Sequence, residues 1–196
     1  NINFTLLEKP TKSQPETVAE GLATIGGKFP FMIKDCDNTF GCSISPGNYV
    51  YYLSLDDIDF INAKNKSYIS FDELRIVSKI IEKKVISNTF CVGGYSFESS
   101  ADFIESFEKL TRFTTDLYIS HVIFDLIASG KIFKASPVKG YEDWGTLDEY
   151  RSYQNNASSY FCDFDGVLVK NSGKFASPPW QYSPIEHNLK FLSCKL

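Results

Sequence analysis

Apolar residues recur along this chain with two different periods, and the period switches several times. In 16–25, Val18, Leu22 and Ile25 follow helical spacing, and Gly26-Gly27 stops the run. Residues 29–33 form a short apolar run suited to a buried strand, ending in Lys34-Asp35-Cys36-Asp37. Residues 49–55 and 67–71 read as strands. The run 74–81 is apolar at alternate positions and then continuously, and 88–97 is a further strand carrying Gly93-Gly94. Two helices are predicted next. One spans 101–110 behind the caps Ser99-Ser100; the other spans 116–129, with Leu117, Val122, Ile123 and Leu126 in a broad apolar stripe that ends at Gly130. A short strand at 131–135 and a helix at 146–154 follow. Thr146 with Glu149 three positions on makes a capping-box pattern for that helix. Asn155-Asn156-Ala157-Ser158 is a polar linker, which divides the chain into residues 1–155 and 158–196. Strand-like and helix-like segments alternate, so the class expected is α/β.

Composition narrows the function classes. The chain has 196 residues, 43% hydrophobic and 22% charged, which is enough for a globular core. The net charge of −4 and the lack of a basic stripe argue against a nucleic-acid partner. No apolar run reaches the length of a membrane-spanning helix, and 1–14 contains no secretory h-region, so no membrane partner is expected. The cysteines Cys36, Cys42, Cys91, Cys162 and Cys194 show no C-x-x-C spacing, and His121 and His187 are far apart, so a zinc site is not expected. Cys36, Cys91 and Cys162 sit in strand-like runs and read as small buried hydrophobes. Reduced thiols and a cytoplasmic location are the simplest expectation.

The densest chemistry lies at 158–171. Asp163 and Asp165 follow the apolar run Tyr160-Phe161-Cys162 and precede Gly166-Val167-Leu168. Residues two apart on a strand share a face, so both carboxylates emerge together at its C-terminal edge, where open α/β sheets place ligands. Such a pair suits Mg²⁺, and one carboxylate can attack a phosphoryl group.

Four patches stand out in 1–155. At 11–22 a polar loop opens a helix, either an ordinary cap or a place for an anion or base edge. At 29–40 a strand delivers Asp35 and Asp37 to a loop, as cation ligands or as turn acids. At 80–87 Glu82 and Lys83 follow a buried run, suited to a sugar hydroxyl and a phosphate, or to a solvated turn. At 138–150 Asp143 precedes Trp144-Gly145-Thr146 at the mouth of a helix, again as a cation ligand or a turn acid.

Taken in order, these patches resemble the sugar nucleotidyltransferases, of glycosyltransferase-A type. The matching segments are Thr11 to Thr17, Asp37-Asn38, Ser67-Tyr68, Glu82-Lys83, Gly94-Tyr95-Ser96-Phe97, Asp116-Leu117-Tyr118-Ile119-Ser120 and Asp143-Trp144-Gly145-Thr146. The resemblance implies a mixed sheet flanked by helices, with Asp37 and Asp143 holding Mg²⁺. It also implies that Glu82 and Lys83 contact a sugar phosphate, that Gln14 and Thr17 line a base pocket, and that Gly94 lies against substrate. The partners implied are a nucleoside triphosphate and a sugar phosphate. The family's opening L-x-A-G-x-G-x-R loop does not occur in the chain, and Lys84 stands where a proline usually follows the Glu-Lys pair. The segment at 158–171 resembles the first motif of the haloacid-dehalogenase phosphohydrolases, implying Asp163 as nucleophile, Asp165 as acid/base and both as Mg²⁺ ligands. Residues 158–196 are then expected to be the first strand and helix of a Rossmann-like domain.

The expectation is therefore an internal piece of a longer bifunctional enzyme resembling those of capsule or surface-polysaccharide precursors, inactive in isolation. The alternatives are a glycosyltransferase using the Asp35-x-Asp37 pair and a non-catalytic sugar-nucleotide-binding domain. Neither the base, the sugar nor the oligomeric state is legible.

Overall fold

The computed structural model describes residues 5–7, 9–58, 63–156, 170 and 184–187. The chain falls into two compact units, Asn1–Tyr150 and Arg151–Leu196. Asp163, Asp165 and the strand expected around them lie outside the described residues.

Helix α1 (Gln14–Ile25) begins where Ser13, in extended conformation, accepts from the Glu16 N–H, and Pro15 sits in its first turn. It ends at Gly26, whose φ of 70° a residue with a Cβ rarely adopts. Strand β1 (Phe31–Lys34) leads through a tight loop into β2 (Asn38–Gly41). Then come β3 (Tyr49–Ser54), β4 (Tyr68–Phe71), β5 (Val77–Ile81) and the nine-residue β6 (Thr89–Phe97). Helices α2 (Ser100–Thr111) and α3 (Ile119–Ala128) follow, then β7 (Lys134–Pro137), β8 (Lys139–Asp143) and α4 (Leu147–Asn156).

The main sheet has six strands in the order β5-β4-β6-β3-β7, with β1 also paired to β6. β6 is antiparallel to β1, β3 and β4, whereas β3 and β7 run parallel. Both faces of β6 are covered, which is why its apolar run is nearly continuous. Cys91, Tyr95 and Phe97 meet Ile33, Val50 and the helical residues Leu22, Phe103, Ile119 and Ile123 on one face. Phe90 and Val92 meet Tyr51, Leu53, Tyr68 and Val138 on the other, with Phe40 and Tyr141 of the β2–β8 ribbon packed against them. The mixed sheet flanked by helices agrees with the sequence.

Several boundaries differ for physical reasons. The strand expected from residue 74 starts at Val77, because Asp72 to Arg75 form a turn: the Arg75 N–H donates to the Asp72 carbonyl at 2.9 Å and Arg75 takes φ 61°. The helix expected from 116 starts at Ile119, after extended Tyr118, whose N–H donates to His121 Nδ1 at 3.2 Å. The strand expected at 131–135 is displaced to Lys134–Pro137 by its parallel register with Tyr49–Tyr52. Cys36 is exposed rather than buried, because it lies in the loop after β1; Cys91 is buried as expected.

Candidate active site

One edge of β6 is shared by two strands, and the gap between them makes the cleft. Lys34 of β1 stands opposite Gly94, and Tyr68 of β4 stands opposite Phe90. Between these pairs the Asp35 N–H reaches the Gly93 carbonyl at 2.8 Å, and the Cys91 N–H reaches the Ser67 carbonyl at 2.8 Å. The end of one strand and the start of the next thus face each other across Val92. A cavity of ≈ 280 Å³ opens there, lined among others by Gln14, Asp37, Glu82, Lys83 and Asp143. These five sequence candidates come from four well-separated segments, Glu82 and Lys83 being neighbours. Thr17 and Gly94 are not among the lining residues. The Thr17 hydroxyl instead meets Thr11 and donates to the Ser13 carbonyl at 3.2 Å. Gly94 backs onto the opposite face, where a Cβ would stand 2.6 Å from the Phe40 ring.

The loop 35–38 is curled around the Lys34 ammonium. This donates to the Asp35 carbonyl at 2.6 Å, to the Asn38 carbonyl at 2.8 Å and to the Asn38 side chain. Lys34 also lies 4.7 Å above the Phe40 ring. Asp37 is fixed through its carbonyl, which accepts from the Trp144 N–H at 2.8 Å. The antiparallel register of β2 with β8 sets Asn38 opposite Asp143. A Cβ on Gly145 would stand 3.2 Å from Asp37 Oδ2 and 3.3 Å from Asp143 Oδ1, so the two carboxylates flank one point. Asp143 Oδ1 accepts from the Gly145 N–H at 3.2 Å, and Oδ2 from the Tyr141 hydroxyl at 3.0 Å and from Lys66. Burial would raise this carboxyl, but those three donors outweigh it and hold it below the ordinary value.

Asp35 is different. Burial lifts its carboxyl above the ordinary 3.8, and the charge of Asp37 adds to the lift, against the Gln14 hydrogen bond at 2.5 Å and the nearby lysines. Its unfolded form therefore gives up its proton first, so stability falls as pH rises from 3.8 through the folded value. Asp35→Asn is expected to raise the neutral-pH Tm, by roughly 2–4 °C for each kcal/mol relieved. The gain should vanish in melts run below 3.8. A lower neutral-pH Tm in the variant would show that the carboxylate stabilises the fold.

Glu82 and Lys83 form the other wall. Ser67 and Ser120 both donate to Glu82 Oε2, the latter at 2.8 Å, which leaves Oε1 for an outside donor. Lys83 takes φ 52°, a conformation unusual for a side chain of its size. Its ammonium donates to the Tyr118 hydroxyl at 2.6 Å and lies 4.3 Å over that ring. The hydroxyl raises the ammonium's pKa despite partial desolvation, so Lys83 keeps its charge. Glu149 serves the helix instead: it accepts from the Thr146 N–H at 2.8 Å while Thr146 Oγ1 accepts from the Glu149 N–H at 3.2 Å, the expected capping box.

The lining carboxylates are Asp35, Asp37, Glu82, Asp143 and Glu149, against the lysines Lys66 and Lys83. An acidic cleft of this kind repels phosphates unless a cation accompanies them. Among the described residues no group of three or more His, Cys, Asp or Glu side chains is arranged to hold a metal ion. Two carboxylates do fit Mg²⁺, which takes one or two from protein and the rest from water and substrate phosphates. Asp37 and Asp143, facing each other across a glycine, meet that need. Lys66 and Tyr141 line the cleft without any signal in the sequence, since single polar residues carry no period, whereas Ser67 and Ser120 lie in matched segments but were given no role there.

Comparison with known proteins agrees with this architecture. No family model matches the chain, and no curated protein matches it. Solved structures do. A nucleoside-diphosphate-sugar pyrophosphorylase from Vibrio cholerae superposes with a TM-score of 0.65 at 20% identity, over 76% of this chain and 67% of its own. The inositol-1-phosphate CTP transferase of T. maritima gives 0.57 at 15% identity, over 72% and 60%. The CTP:phosphocholine cytidylyltransferase of Streptococcus pneumoniae gives 0.51 at 13%, over 64% and 56%. The chain therefore has the fold of these nucleotidyltransferases and spans 56–67% of their lengths. No described helix is long and apolar enough to cross a membrane.

Proposed function

We propose that residues 1–155 bind a nucleoside triphosphate and a sugar phosphate, and that their chemistry is nucleotidyl transfer. The observation that carries this reading is the convergence of Gln14, Asp37, the Glu82-Lys83 pair and Asp143 on one cleft from four segments of the chain. The Lys83 ammonium would hold the sugar phosphate, and Glu82 Oε1 would accept from a sugar hydroxyl. Gln14, at the mouth of α1, would face the base. Asp37 and Asp143 would hold Mg²⁺, which when bound neutralises phosphate charge. In the reaction an oxygen of the sugar phosphate bonds to the α-phosphorus as the bond to the bridging oxygen breaks, and pyrophosphate leaves with that oxygen. The protein's share is positioning the two substrates in line.

A glycosyltransferase using Asp35 with Asp37 is the less favoured alternative, because Asp35 is already tied to Gln14 and packed on Gly93. For 158–196 the proposal of a haloacid-dehalogenase-like segment, with Asp163 as nucleophile and Asp165 as acid/base, rests on the sequence motif. Because the chain contains no Gly-rich triphosphate loop, residues 1–196 by themselves are expected to release little pyrophosphate.

Binding is thus the better test. Mn²⁺ titrated in the presence of a nucleoside triphosphate should bind the chain. Asp37→Asn and Asp143→Asn should each weaken that binding by about tenfold or more, since each removes one of at most two protein ligands. Unchanged binding in both variants would overturn the assignment.

A further inference from the structure

Lys66 has no part in the scheme above, yet its ammonium is paired with Asp143, one of the two cation carboxylates. The two side chains are 18% and 12% exposed, and the ammonium donates to the Tyr141 hydroxyl at 3.0 Å. Its charge is also felt at Asp35. We propose that Lys66 is a displaceable internal counter-cation: it neutralises Asp143 before a divalent ion binds, leaves that carboxylate when one does, and then joins Lys83 in holding the incoming phosphate. This rests on the reading of Asp37 and Asp143 as the cation ligands.

The point flanked by Asp37 Oδ2 and Asp143 Oδ1 lies across one carboxylate from the ammonium on Oδ2, and two cations on the two oxygens of one half-buried carboxylate repel each other strongly. That repulsion favours release of the lysine. The backbone limits where the lysine goes. The Lys66 carbonyl accepts from the Lys83 N–H at 3.1 Å, and the two residues bracket the β4–β5 hairpin, whose register sets Tyr68 opposite Ile81. A released Lys66 ammonium is thus tethered beside the Lys83 backbone, within reach of a phosphate that Lys83 holds. Lys83 gives one donor to Tyr118, and an ammonium has three, so it too has donors to spare. A phosphate at Lys83 draws Lys66 away from Asp143 and so favours the divalent ion. Phosphate and cation then strengthen each other's binding, as reciprocal linkage requires.

The test is Mn²⁺ affinity, measured by electron paramagnetic resonance on the full chain without and with a nucleoside triphosphate. Lys66→Met should bind Mn²⁺ alone about tenfold tighter than wild type, as removal of a nearby unit charge predicts. Its further tightening by triphosphate should shrink. Lys66→Arg, which keeps the charge, should resemble wild type. Lys66→Gln, which can still donate to Tyr141, repeats the test should the methionine variant fold poorly. If Mn²⁺ binds all these proteins equally, or binds the neutral variants more weakly, the Lys66 proposal falls while the cation site stands. If no protein binds Mn²⁺ even with triphosphate, the cation reading of Asp37 and Asp143 falls and takes this proposal with it.

Discussion

Gly93→Ala is expected to lower the stability of the first unit by roughly 2–5 kcal/mol, the combined cost of a strained left-handed residue and an overpacked contact. Gly93 takes φ 76°, and a Cβ there would stand 2.2 Å from Asp35 Oδ2 and 2.7 Å from its Cγ. Asp35 has little freedom to withdraw. Its N–H is bonded to the Gly93 carbonyl at 2.8 Å, and its carboxylate is bonded to Gln14. The variant must twist β6 or push Asp35 into the cleft, so loss of stability and loss of triphosphate binding should appear together. Urea unfolding gives the stability change. A double variant with Asp35→Gly separates the contributions, because it removes the Asp35 Cβ and carboxylate that meet the new methyl and leaves the left-handed strain at residue 93. A Gly93→Ala protein as stable as wild type would show that the close approach of Asp35 to this strand is wrong.

Phe97→Ala should cost about 3–5 kcal/mol, the range for truncating a large buried aromatic. Phe97 is 1% exposed. Its ring stacks on Phe31 at 5.0 Å between centroids and meets Phe103 and Phe133 edge-on at 5.0 and 5.7 Å. It therefore ties β1, α2 and the segment before β7 to the central strand, and no single neighbour can close the void. Domains of this kind hold only about 5–15 kcal/mol in total, so the variant should unfold at markedly lower urea. Its far-ultraviolet dichroism before the transition should match wild type. A loss under about 1 kcal/mol would place Phe97 outside the packed core, against the burial seen here.

Much of this architecture was legible because it is local. The cap that the polar loop at 11–22 offers, supplied by Ser13, and the capping box of Thr146 and Glu149 are side chains bonding backbone groups a few residues away, and the stop at Gly26 is a local backbone conformation. β3 declares itself by a continuous apolar and aromatic run, since both its faces are packed, Val50 and Tyr52 on one and Tyr51 and Leu53 on the other. β6 declares itself by a continuous apolar run, since it is covered on both sides. The order of short polar motifs named the candidate residues Asp37, Glu82, Lys83 and Asp143 before any geometry was known.

Tertiary structure decided the rest. The β2–β8 ribbon joins Asn38 to Asp143. Neither strand has an apolar period, because their pairing energy lies in backbone bonds to a distant partner. That pairing brings Asp37 and Asp143 around Gly145. The choice between Gly93 and Gly94 was likewise invisible, since both are glycines in one run; only the neighbours differ, Asp35 for one and Phe40 for the other. Cys36 looked like a continuation of an apolar strand, but β1 ends at Lys34 and the Lys34 ammonium curls the next residues outward. Lys66 had no sequence signal at all. A lysine's role depends on which carboxylate it meets, and Lys66 meets one 77 positions away because two strands share an edge of β6.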